Sequence, residues 1–383
     1  MPQDLIFPDD DSVMRHALNV ACRGIGAVEP NPAVGAVIVD AQRRWVADGW
    51  HQNFGGPHAE VNAISAAAGR TSGAQLFVTL EPCSHHGKTP PCADAVIAAG
   101  FRRVVIGCQD PAPHVAGQGI QKLRAAGLDI QVGCCQDEAQ DLIAPFRCLM
   151  LNGRPWVHAK WAMTLDGRIA SRTGHSRWIT GKAARAEVHR LRGRMDAIIT
   201  AAGTVRADDP RLTVRPPGPR TPLRVVIDAD GSSIREDGNL LRTIDEAPLL
   251  LCVTQQAMES KRVQQLRQKG VEVFGVSADN GRPDVSELLR ELGRRRLTNV
   301  LVEAGAGLMG TLFDADLIDE VHVFMAPKIL GGAAAVPPVG GTGLDNVPPL
   351  ASVKNLSVRS FEGDLLVEGR VCRDQPGGVT GNV

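Results

Sequence analysis

Short apolar runs alternate with helix-like runs through the first 150 residues. PAVGAVIVD at 32–40 has the pattern of a buried strand, whereas HAEVNAISAAAG at 58–69 is rich in alanine and ends at a glycine, as helices often do. This alternation predicts an α/β sandwich. The predicted strands are 32–40, 74–79, 103–107 and 129–133, and the predicted helices are 11–23, 58–69, 92–99, 119–126 and 137–151.

A second α/β series follows residues 152–155, whose sequence NGRP favours a turn. We therefore expect a domain boundary there, with domains at 1–151 and 152–374 and a mobile tail at 375–383. The second series comprises predicted strands at 156–163, 197–201, 223–227, 249–253, 271–276 and 299–303, β-rich runs at 320–325 and 357–371, helices at 181–194, 257–269, 284–295 and 307–315, and loops around 215–222 and 331–349.

The 383 residues are enough for two or three domains. Lys plus Arg number 42 and Asp plus Glu number 42, and this zero net charge argues against a general nucleic-acid or anionic-membrane binder. No apolar run approaches the roughly 20 residues of a membrane span, and the acidic N-terminus lacks the apolar region of a signal peptide. We therefore expect a cytoplasmic protein. Its nine cysteines, an odd number, then favour free thiols and metal ligands over a disulfide framework.

The strongest chemical signal consists of His58, Glu60, Cys83 and Cys92. Histidine and cysteine bind zinc, and three protein ligands leave the fourth tetrahedral position open for a water molecule, as in catalytic sites. Bound zinc lowers the pKa of that water to about 7. Glu60, at the start of a predicted helix, can then carry a proton from the water to a leaving nitrogen without being a ligand. The order of these residues is typical of zinc nucleobase deaminases.

The spacing between the two cysteines departs from that pattern. Eight residues, SHHGKTPP, separate Cys83 from Cys92 where the pattern has two. The spacer contains His85 and His86, and either histidine as a fourth ligand would close the site and make it a structural one. Unrelated polar residues beside a buried structural cysteine are the other alternative. The combination of three ligands with Glu60 and two helix starts favours a catalytic zinc site.

The second domain carries weaker signals. Gly305, Gly307 and Gly310 lie between a predicted strand and a predicted helix, where backbone N–H groups can approach a phosphate. The same spacing suits a simple tight turn, and it lies too late in the domain for a Rossmann fingerprint. Residues 203–215, GTVRADDPRLTVR, are expected to form a loop after a strand. Their arginines can bind a phosphate or pair with the adjacent acids.

The sequence resembles one family along nearly its whole length. NPAVGAVIV, HAEVNAI, TLEPCSHHGKTPPC and QDPAPHVAGQG resemble the deaminase half of the bifunctional deaminase–reductases of riboflavin biosynthesis, which share the long spacer between the cysteines. KWAMTLDGRIA, SRWITG, GTVRADDPRLTVR, VEAGAGLMGTLF and APKILGG resemble the reductase half. The resemblance implies an N-terminal cytidine-deaminase-like α/β/α sandwich and a C-terminal dihydrofolate-reductase-like α/β domain.

The resemblance also implies two successive reactions on small phosphoribosylaminopyrimidines. The first is zinc-dependent hydrolytic deamination of 2,5-diamino-6-(5-phosphoribosylamino)pyrimidin-4(3H)-one at its 2-amino group, with one Zn²⁺ in each chain. The second is NADPH-dependent reduction of the ribosyl group of 5-amino-6-(5-phosphoribosylamino)uracil, opened to its imine form, to ribityl. The resemblance implies no nucleic-acid or membrane partner. It does imply a homo-oligomer.

Site residues of the family transfer to matching positions of this sequence. Glu60 would be the deaminase proton shuttle, and Lys160 or Asp208 would polarise or protonate the ring oxygen or imine in the reductase. The implied deaminase substrate contacts are Asn31, His51, His85, Lys88 and Asp110. The implied NADPH contacts are Ala162, Trp178, Thr204, Asp208, a stretch near 229–232 and the loop of Gly305, Ala306, Gly307, Leu308, Met309, Gly310 and Thr311. The implied reductase substrate contacts are Ser176, Arg192, Leu212, Arg215 and Glu303, with the arginines on the phosphate.

Several of these residues also have a plainer interpretation. Asn31 and Asp110 precede prolines and suit turns, Trp178 suits a core, and Arg192 lies on an arginine-rich predicted helix that suits solvent. For the whole protein, the alternative is a nucleoside or RNA-base deaminase with an inactive second domain. That function would need a basic groove and stacking aromatic side chains, whereas aromatic residues make up only 4% of the chain and tyrosine is absent.

Overall fold

The computed structural model of the chain divides into two compact units. The first comprises Met1–Pro155 with Arg296–Thr298, and the second comprises Trp156–Arg295 with Asn299–Val383. The structure describes residues 5–84, 90–113, 115–348 and 352–372. The expected tail at 375–383 lies outside these ranges. Among the described residues, no helix is long and apolar enough to cross a membrane.

The first unit is built on a five-stranded sheet. Its strands are β1 (Gly35–Val39), β2 (Trp45–Trp50), β3 (Gln75–Leu80), β4 (Arg103–Cys108) and β5 (Asp129–Val132). Its helices are α1 (Asp10–Ala21), α2 (Ala59–Ala67), α3 (Cys92–Ala98), α4 (Gln118–Ala125), α5 (Gln136–Leu142) and α6 (Ala144–Asn152). The strand order is β2-β1-β3-β4-β5. Strand β1 runs antiparallel to β2 and β3, whereas β3, β4 and β5 run parallel.

Helices cover both faces of this sheet, which confirms the expected α/β/α sandwich. Ala36 and Ile38 of β1 pack with residues of α2, α3 and α4 on one face. Val37 and Val39 of the same strand pack with residues of α1 and α5 on the other face. All four side chains have no exposed surface. The apolar run of β1 is therefore continuous because it alternates between two hydrophobic cores, not between a core and solvent.

Gly49 allows α2 to lie directly on β2. A Cβ atom at this position would lie 2.3 Å from the backbone nitrogen of Ala63 and 2.7 Å from the carbonyl oxygen of Ala59, both in α2. Because protein interiors are densely packed, a helix backbone cannot lie this close to a strand if a side chain stands between them. The glycine therefore sets the distance between the sheet and α2, and α2 begins directly after His58.

The second unit is built on a nine-stranded sheet. Its strands are β6 (Trp156–Thr164), β7 (Ala197–Ala201), β8 (Leu223–Ile227), β9 (Leu249–Thr254), β10 (Glu272–Val276), β13 (Asn299–Val302), β14 (Glu320–Ala326), β15 (Val353–Phe361) and β16 (Asp364–Val371), and β11 (Ala278–Asp279) and β12 (Arg282–Pro283) form a separate pair. Its helices are α7 (Lys182–Arg192), α8 (Ala202–Asp208), α9 (Asn239–Arg242), α10 (Lys261–Gln268), α11 (Val285–Arg294) and α12 (Ala306–Asp314).

The large sheet has the strand order β10-β9-β8-β7-β13-β6-β14-β16-β15. Neighbouring strands run parallel from β10 to β14. The last two pairs, β14 with β16 and β16 with β15, are antiparallel. A mostly parallel sheet with intervening helices confirms the α/β class expected for this domain.

In the first unit, one expected helix was wrong in detail and one strand was not expected. The single helix expected at 137–151 is two helices, because Ile143 between α5 and α6 leaves the helical conformation at φ −97° and ψ 14°. Pro145 lies in the first turn of α6, where its missing N–H group is not needed. Strand β2, WVADGW, was not predicted because it contains Asp48 and Gly49 and is only partly buried.

Two expected loops of the second unit are helical. Residues 202–208 form α8 directly after β7, so only 209–215 of the expected loop lack regular structure. Gly305 is the N-cap of α12, and the rest of the expected glycine-rich loop lies inside that helix. The β-rich run expected at 357–371 is a hairpin that already begins at Val353. It turns at Glu362 and Gly363, both with positive φ, which suits the twist of a tight hairpin.

Replacing Gly49 with alanine should destabilise the first unit. The added methyl group collides with the backbone of α2, and overpacking of this kind costs about 1–3 kcal/mol. Denaturant unfolding followed by circular dichroism should show a lower midpoint. Gly203→Ala is the control, because a Cβ atom at Gly203 has no atom within 4 Å. Equal midpoints for the two variants would contradict the close packing of α2 on β2.

Candidate functional site

Three metal-ligand side chains of the first unit meet at the ends of different elements. Cys83 follows β3, while His58 is the N-cap of α2 and Cys92 is the first residue of α3. The Nδ1 atom of His58 lies 3.6 Å from the Sγ atom of Cys83 and 3.2 Å from that of Cys92. Tetrahedral zinc, with bonds of about 2.1 Å to nitrogen and 2.3 Å to sulfur, would separate such atoms by about 3.6 Å. The donor set and its spacing therefore fit a zinc ion.

The surroundings of Cys83 favour its thiolate form. The backbone N–H group of Cys92 donates a hydrogen bond to the Sγ atom of Cys83 at 3.3 Å. The hydrogen bond with the Cys92 side chain is the largest contribution that lowers the pKa of the Cys83 thiol to about 4, with burial opposing it and His58 adding to it. A thiolate is the form of cysteine that binds metal ions.

Glu60 lies beside the three ligands in the first turn of α2. The residue is only 3% exposed. Burial raises the pKa of its carboxyl group to about 7. A carboxyl group in these surroundings is suited to accept and return a proton near neutral pH.

A pocket of about 440 Å³ opens in front of these groups. Three of the substrate contacts expected from the sequence line this pocket together with His58, Cys83 and Glu60. These three are Asn31, His51 and Asp110. The other two expected contacts, His85 and Lys88, lie outside the described residues, as does His86.

Asn31 and His51 form a hydrogen-bonded pair whose orientation follows from the backbone. The Nδ1 atom of His51 lies 3.0 Å from the carbonyl oxygen of Pro57, and a carbonyl oxygen can only accept. His51 therefore carries its proton on Nδ1, and its Nε2 atom accepts a hydrogen bond from Nδ2 of Asn31 at 3.3 Å. Burial also lowers the pKa of His51, which favours this neutral form. The carbonyl oxygen of the Asn31 side chain is left to accept from a ligand.

The position of Asp110 suits both a turn residue and a substrate contact. Its Oδ1 atom accepts a hydrogen bond from the backbone N–H of Ala112 at 2.8 Å, as expected for a turn residue. The same residue also lines the pocket. A turn role and a ligand contact are therefore compatible at this position.

Glu81 is a site residue that sequence reasoning missed. Its carboxylate accepts four backbone N–H groups, from Asp110 at 3.1 Å, Gly117 at 2.9 Å, Gly119 at 2.8 Å and Ile120 at 3.2 Å. The side chain is buried. It therefore fixes the segment that carries Asp110 to the strand end that carries the first metal-ligand cysteine. A charged residue directly after a mostly apolar strand was the available signal.

In the second unit, Lys160, Arg192 and Glu303 form one largely buried cluster. Arg192 donates to both carboxylate oxygens of Glu303, at 2.5 and 3.0 Å, and Nζ of Lys160 lies 3.5 Å from the same carboxylate. The side chain of Arg192 is 14% exposed, so the alternative of a solvated charge is wrong. Burial alone would raise the pKa of Glu303, but Arg192 and then Lys160 lower it to about 2.

Arg215 extends this cluster through Thr213. Arg192 donates to the carbonyl oxygen of Thr213 at 3.4 Å, and Arg215 donates to its hydroxyl oxygen at 2.6 Å. His189, whose pKa burial and the two arginines lower to about 4, is neutral and accepts from the backbone N–H of Arg215 at 3.3 Å. Within the described part of the chain, Arg215 has no ion pair with a carboxylate. The excess positive charge suits a phosphate group.

Lys160 and Asp208, the two expected acids, have different partners. Lys160 pairs with Glu303, whereas Asp208 pairs with Arg177 at 3.2 Å near the surface. Trp178 is 65% exposed, with the guanidinium group of Arg185 4.5 Å from its ring centre, so its interpretation as a core residue is wrong.

The remaining expected contacts of the second unit divide by burial. Gly305 and Gly307 have open space where a Cβ atom would stand, at the N-terminus of α12. Leu212 is 3% exposed and its side chain belongs to a hydrophobic core, so only its backbone is available to a ligand. Leu308, Met309 and Gly310 are buried, because they lie on the side of α12 that packs against the protein interior. The half-buried positions are Ala162, Ser176, Thr204, Ala306 and Thr311.

Comparisons with known proteins agree with this division. Residues 8–108 match the family model of the cytidine and deoxycytidylate deaminase zinc-binding region, and residues 155–367 match that of the RibD C-terminal domain. The chain is 40% identical over 338 residues to the riboflavin biosynthesis protein RibD of Escherichia coli, which covers 85% of this chain and 89% of that protein. It is 36% identical over 359 residues to RibD of Aquifex aeolicus, covering 94% and 97%.

Solved structures are similar over nearly the whole chain. RibD of Acinetobacter baumannii superimposes with a TM-score of 0.82 at 34% identity, covering 95% of this chain and 99% of that one. A diaminohydroxyphosphoribosylaminopyrimidine deaminase/5-amino-6-(5-phosphoribosylamino)uracil reductase of Thermotoga maritima superimposes with a TM-score of 0.80 at 36% identity, covering 94% and 98%.

Replacing Cys83 with serine should remove one equivalent of zinc from each chain. Serine lacks the thiolate that binds the metal ion, and the affinity for zinc depends on the complete set of three ligands. Metal analysis of the purified, dialysed protein measures the loss. Cys22→Ser is the matched control, because Cys22 is exposed and lies outside the cluster. Equal zinc content in both variants would remove Cys83 from the metal site.

Proposed function

The chain belongs to the RibD family of bifunctional riboflavin biosynthesis enzymes, and from that premise we propose which of its residues perform each reaction. The protein is a hydrolase through its deaminase domain and an oxidoreductase through its RibD C-terminal domain. It deaminates 2,5-diamino-6-(5-phosphoribosylamino)pyrimidin-4(3H)-one and then reduces the ribosyl group of the resulting uracil derivative to ribityl. The observation that carries the assignment is the convergence of His58, Cys83 and Cys92 beside the buried Glu60.

Residues 1–151 form the deaminase domain in this proposal, with His58, Cys83 and Cys92 as the zinc ligands. Zinc, when bound there, supplies a Lewis acid that makes water a nucleophile near neutral pH. Glu60 takes a proton from the attacking water and delivers it to the 2-amino nitrogen, which leaves as ammonia. Because Glu60 is only 3% exposed, little of the residue is in contact with solvent.

Asn31 and His51 orient the pyrimidine ring. The hydrogen bond from Asn31 to His51 fixes the amide, so the side-chain oxygen of Asn31 accepts from an N–H group of the ring. Asp110, held in place by Glu81, contacts the amino or ribose end of the substrate. His85 and Lys88 are retained as substrate contacts on the family resemblance alone.

Residues 152–374 form the reductase domain in this proposal, and NADPH is its cofactor. The open space at Gly305 and Gly307 supports a phosphate of the cofactor at the N-terminus of α12, because an added Cβ atom would occupy that space. NADPH, when bound, supplies the hydride. Trp178 with its exposed ring, Thr204, Asp208 and Ala162 are the further cofactor contacts.

Arg192 and Arg215 hold the substrate phosphate, and Lys160 is the acid. Lys160 is buried in the cluster with Glu303, whereas Asp208 is engaged with Arg177 near the surface, and this difference favours Lys160. Reduction of the imine adds hydride at the former ribose C1 carbon and a proton at nitrogen. Lys160 supplies that proton, and Glu303 keeps its ammonium group oriented. Ser176 and the backbone of Leu212 complete the substrate contacts.

The alternative of a nucleoside or RNA-base deaminase predicts an inactive second domain. The assembled cluster of Lys160, Arg192, Glu303 and Arg215 favours an active reductase. A cytoplasmic location and a homo-oligomeric state stay predictions from the sequence.

The order of the two reactions is the direct test of this proposal. Zinc-loaded protein is mixed with the diaminopyrimidine ribotide without cofactor, and ammonia release is measured. NADPH is then added, and its oxidation is followed by absorbance. Ammonia before any NADPH, followed by stoichiometric NADPH oxidation, supports two active domains. Absence of ammonia from zinc-loaded protein would contradict the substrate assigned to the first domain.

Glu60→Gln should abolish deamination while keeping zinc. The amide preserves the size of the side chain but cannot carry the proton, and loss of a general acid–base group costs about 10²–10⁴-fold in rate. Ammonia release and metal content are measured on the same sample. Glu138→Gln, which changes an exposed glutamate of the same unit, should keep the wild-type rate. Turnover by Glu60→Gln within a few fold of wild type would assign the proton transfer elsewhere.

Arg215→Ala should raise the reductase KM for the phosphorylated substrate. Loss of a charge-assisted hydrogen bond costs about 1.5–3 kcal/mol, which corresponds to about 10–160-fold in KM. Steady-state kinetics of NADPH oxidation with the deaminated substrate measure it. Arg290→Ala, on the exposed side of α11, is the control. If KM is unchanged in Arg215→Ala, the phosphate does not bind at this arginine.

A further inference from the structure

A second group of metal-ligand side chains lies inside the second unit. The proposed reactions assign these side chains no role. His158 belongs to β6, and Glu320 and His322 belong to the adjacent parallel strand β14, where Glu320 pairs in register with His158. The Nδ1 atom of His158 lies 3.1 Å from Nε2 of His322. The Glu320 carboxylate lies 3.4 Å from that Nε2 atom and 3.7 Å from that Nδ1 atom.

The outer hydrogen bonds of the two histidines fix which ring nitrogens carry protons. Nε2 of His158 lies 3.1 Å from the side-chain oxygen of Asn299, and Nδ1 of His322 lies 2.8 Å from the carboxylate of Glu368. Both oxygens can only accept, so both outer nitrogens carry a proton. In neutral rings the two inner nitrogens then face each other as lone pairs, with the carboxylate of Glu320 beside them. Three acceptors this close together require a cation between them.

The third ligand side chain is oriented in the same manner. The indole Nε1–H group of Trp156 donates to the Glu320 carboxylate at 3.1 Å. Each of the three side chains thus has one outer partner that fixes it toward a common point. Metal ligands in proteins are held in this way by hydrogen bonds from a surrounding layer of residues.

The charges around the cluster leave Glu320 without a permanent counter-charge. Glu368 is paired with Arg359 at 2.8 Å, so its charge is already balanced. In the described ranges Glu320 has ion-pair contacts with the two histidines and with no lysine or arginine. His158 and His322 are 7% and 3% exposed. A partly buried carboxylate facing two imidazole lone pairs is costly unless a cation joins them.

We propose that His158, His322 and Glu320 bind a second divalent ion of the zinc class, in addition to the ion of the first unit. Bonds of about 2.0–2.1 Å at tetrahedral angles separate nitrogen and oxygen ligands by about 3.3 Å, and the observed separations of 3.1, 3.4 and 3.7 Å bracket that value. The side chain of Glu320 is 23% exposed and provides the approach from solvent, where water takes the fourth position. The ion joins β6 to β14 and has a structural role.

Metal stoichiometry tests the proposal with the first site removed. Cys83→Ser/Cys92→Ser protein is loaded with Zn²⁺ and dialysed against metal-free buffer. The proposal expects two zinc ions in each wild-type chain, one in the double cysteine variant and none when His158→Gln is added. His175→Gln in the same background is the matched control, because His175 is exposed and outside the cluster, and it should retain one ion.

Cobalt spectra test the same site first in the wild-type protein, whose folding is not in question, and then in one conservative variant. Co²⁺ bound to wild-type protein should fill two sites, of which only one has a thiolate-to-cobalt charge-transfer band. The second equivalent should add ligand-field absorption alone. Glu320→Gln, which keeps the size of the side chain, should lose that second equivalent while NADPH oxidation continues.

One metal ion in wild-type protein and none in the double cysteine variant would overturn the proposal. The cation between the rings would then be a proton on His322, shared with His158, and the cluster would be part of the ion-pair network around Glu368 and Arg359. A second ion that survives both His158→Gln and Glu320→Gln would overturn it equally, because the ion would be bound elsewhere.

Discussion

In the first unit, the ends of two helices and one strand come together around one metal-binding point, and the rest of the site depends on this arrangement. His58, Cys83 and Cys92 come from the start of α2, the end of β3 and the start of α3, yet their donor atoms lie within 4.8 Å of one another. That convergence is possible because both helices lie on the same face of the sheet, in one hydrophobic core. Gly49 removes the side chain that would hold α2 away from β2. The core therefore preorganises the ligands, and an ion that binds them also stabilises the packing that positions them.

Burial acts to raise the pKa of a glutamate in each of the two proposed active sites, but the net shifts are opposite. Around Glu60, burial raises the pKa of the carboxyl group, so the protonated form becomes accessible near neutral pH. Around Glu303, burial acts in the same direction but is outweighed by Arg192 and Lys160, and the carboxylate stays ionised. One glutamate can therefore exchange a proton, whereas the other orients two cations. The difference comes from the charges packed against each carboxylate, not from its depth in the protein.

The sequence was sufficient for most of the fold and for the metal-ligand set. The buried strands and the main helices follow from hydrophobic patterning, and His58, Cys83 and Cys92 follow from residue type and order. Contacts between distant segments could not be predicted. Glu81 accepts hydrogen bonds from backbone N–H groups some 30 to 40 positions later in the sequence, and His158 and His322 are 164 positions apart. The sequence also did not show which face of α12 is buried. For this reason Leu308 and Met309 were expected to contact a ligand, although they are buried.

The zinc site of the first unit is an open catalytic site in the proposed function, not a closed structural one. Crystals of the zinc-loaded protein, measured on both sides of the zinc absorption edge, test it most directly. We expect an anomalous peak bonded to His58 Nδ1 and to the Sγ atoms of Cys83 and Cys92, with a non-protein ligand in the fourth position toward the pocket beside Glu60. A fourth bond from His85 or His86, or no peak at these three atoms, would contradict it.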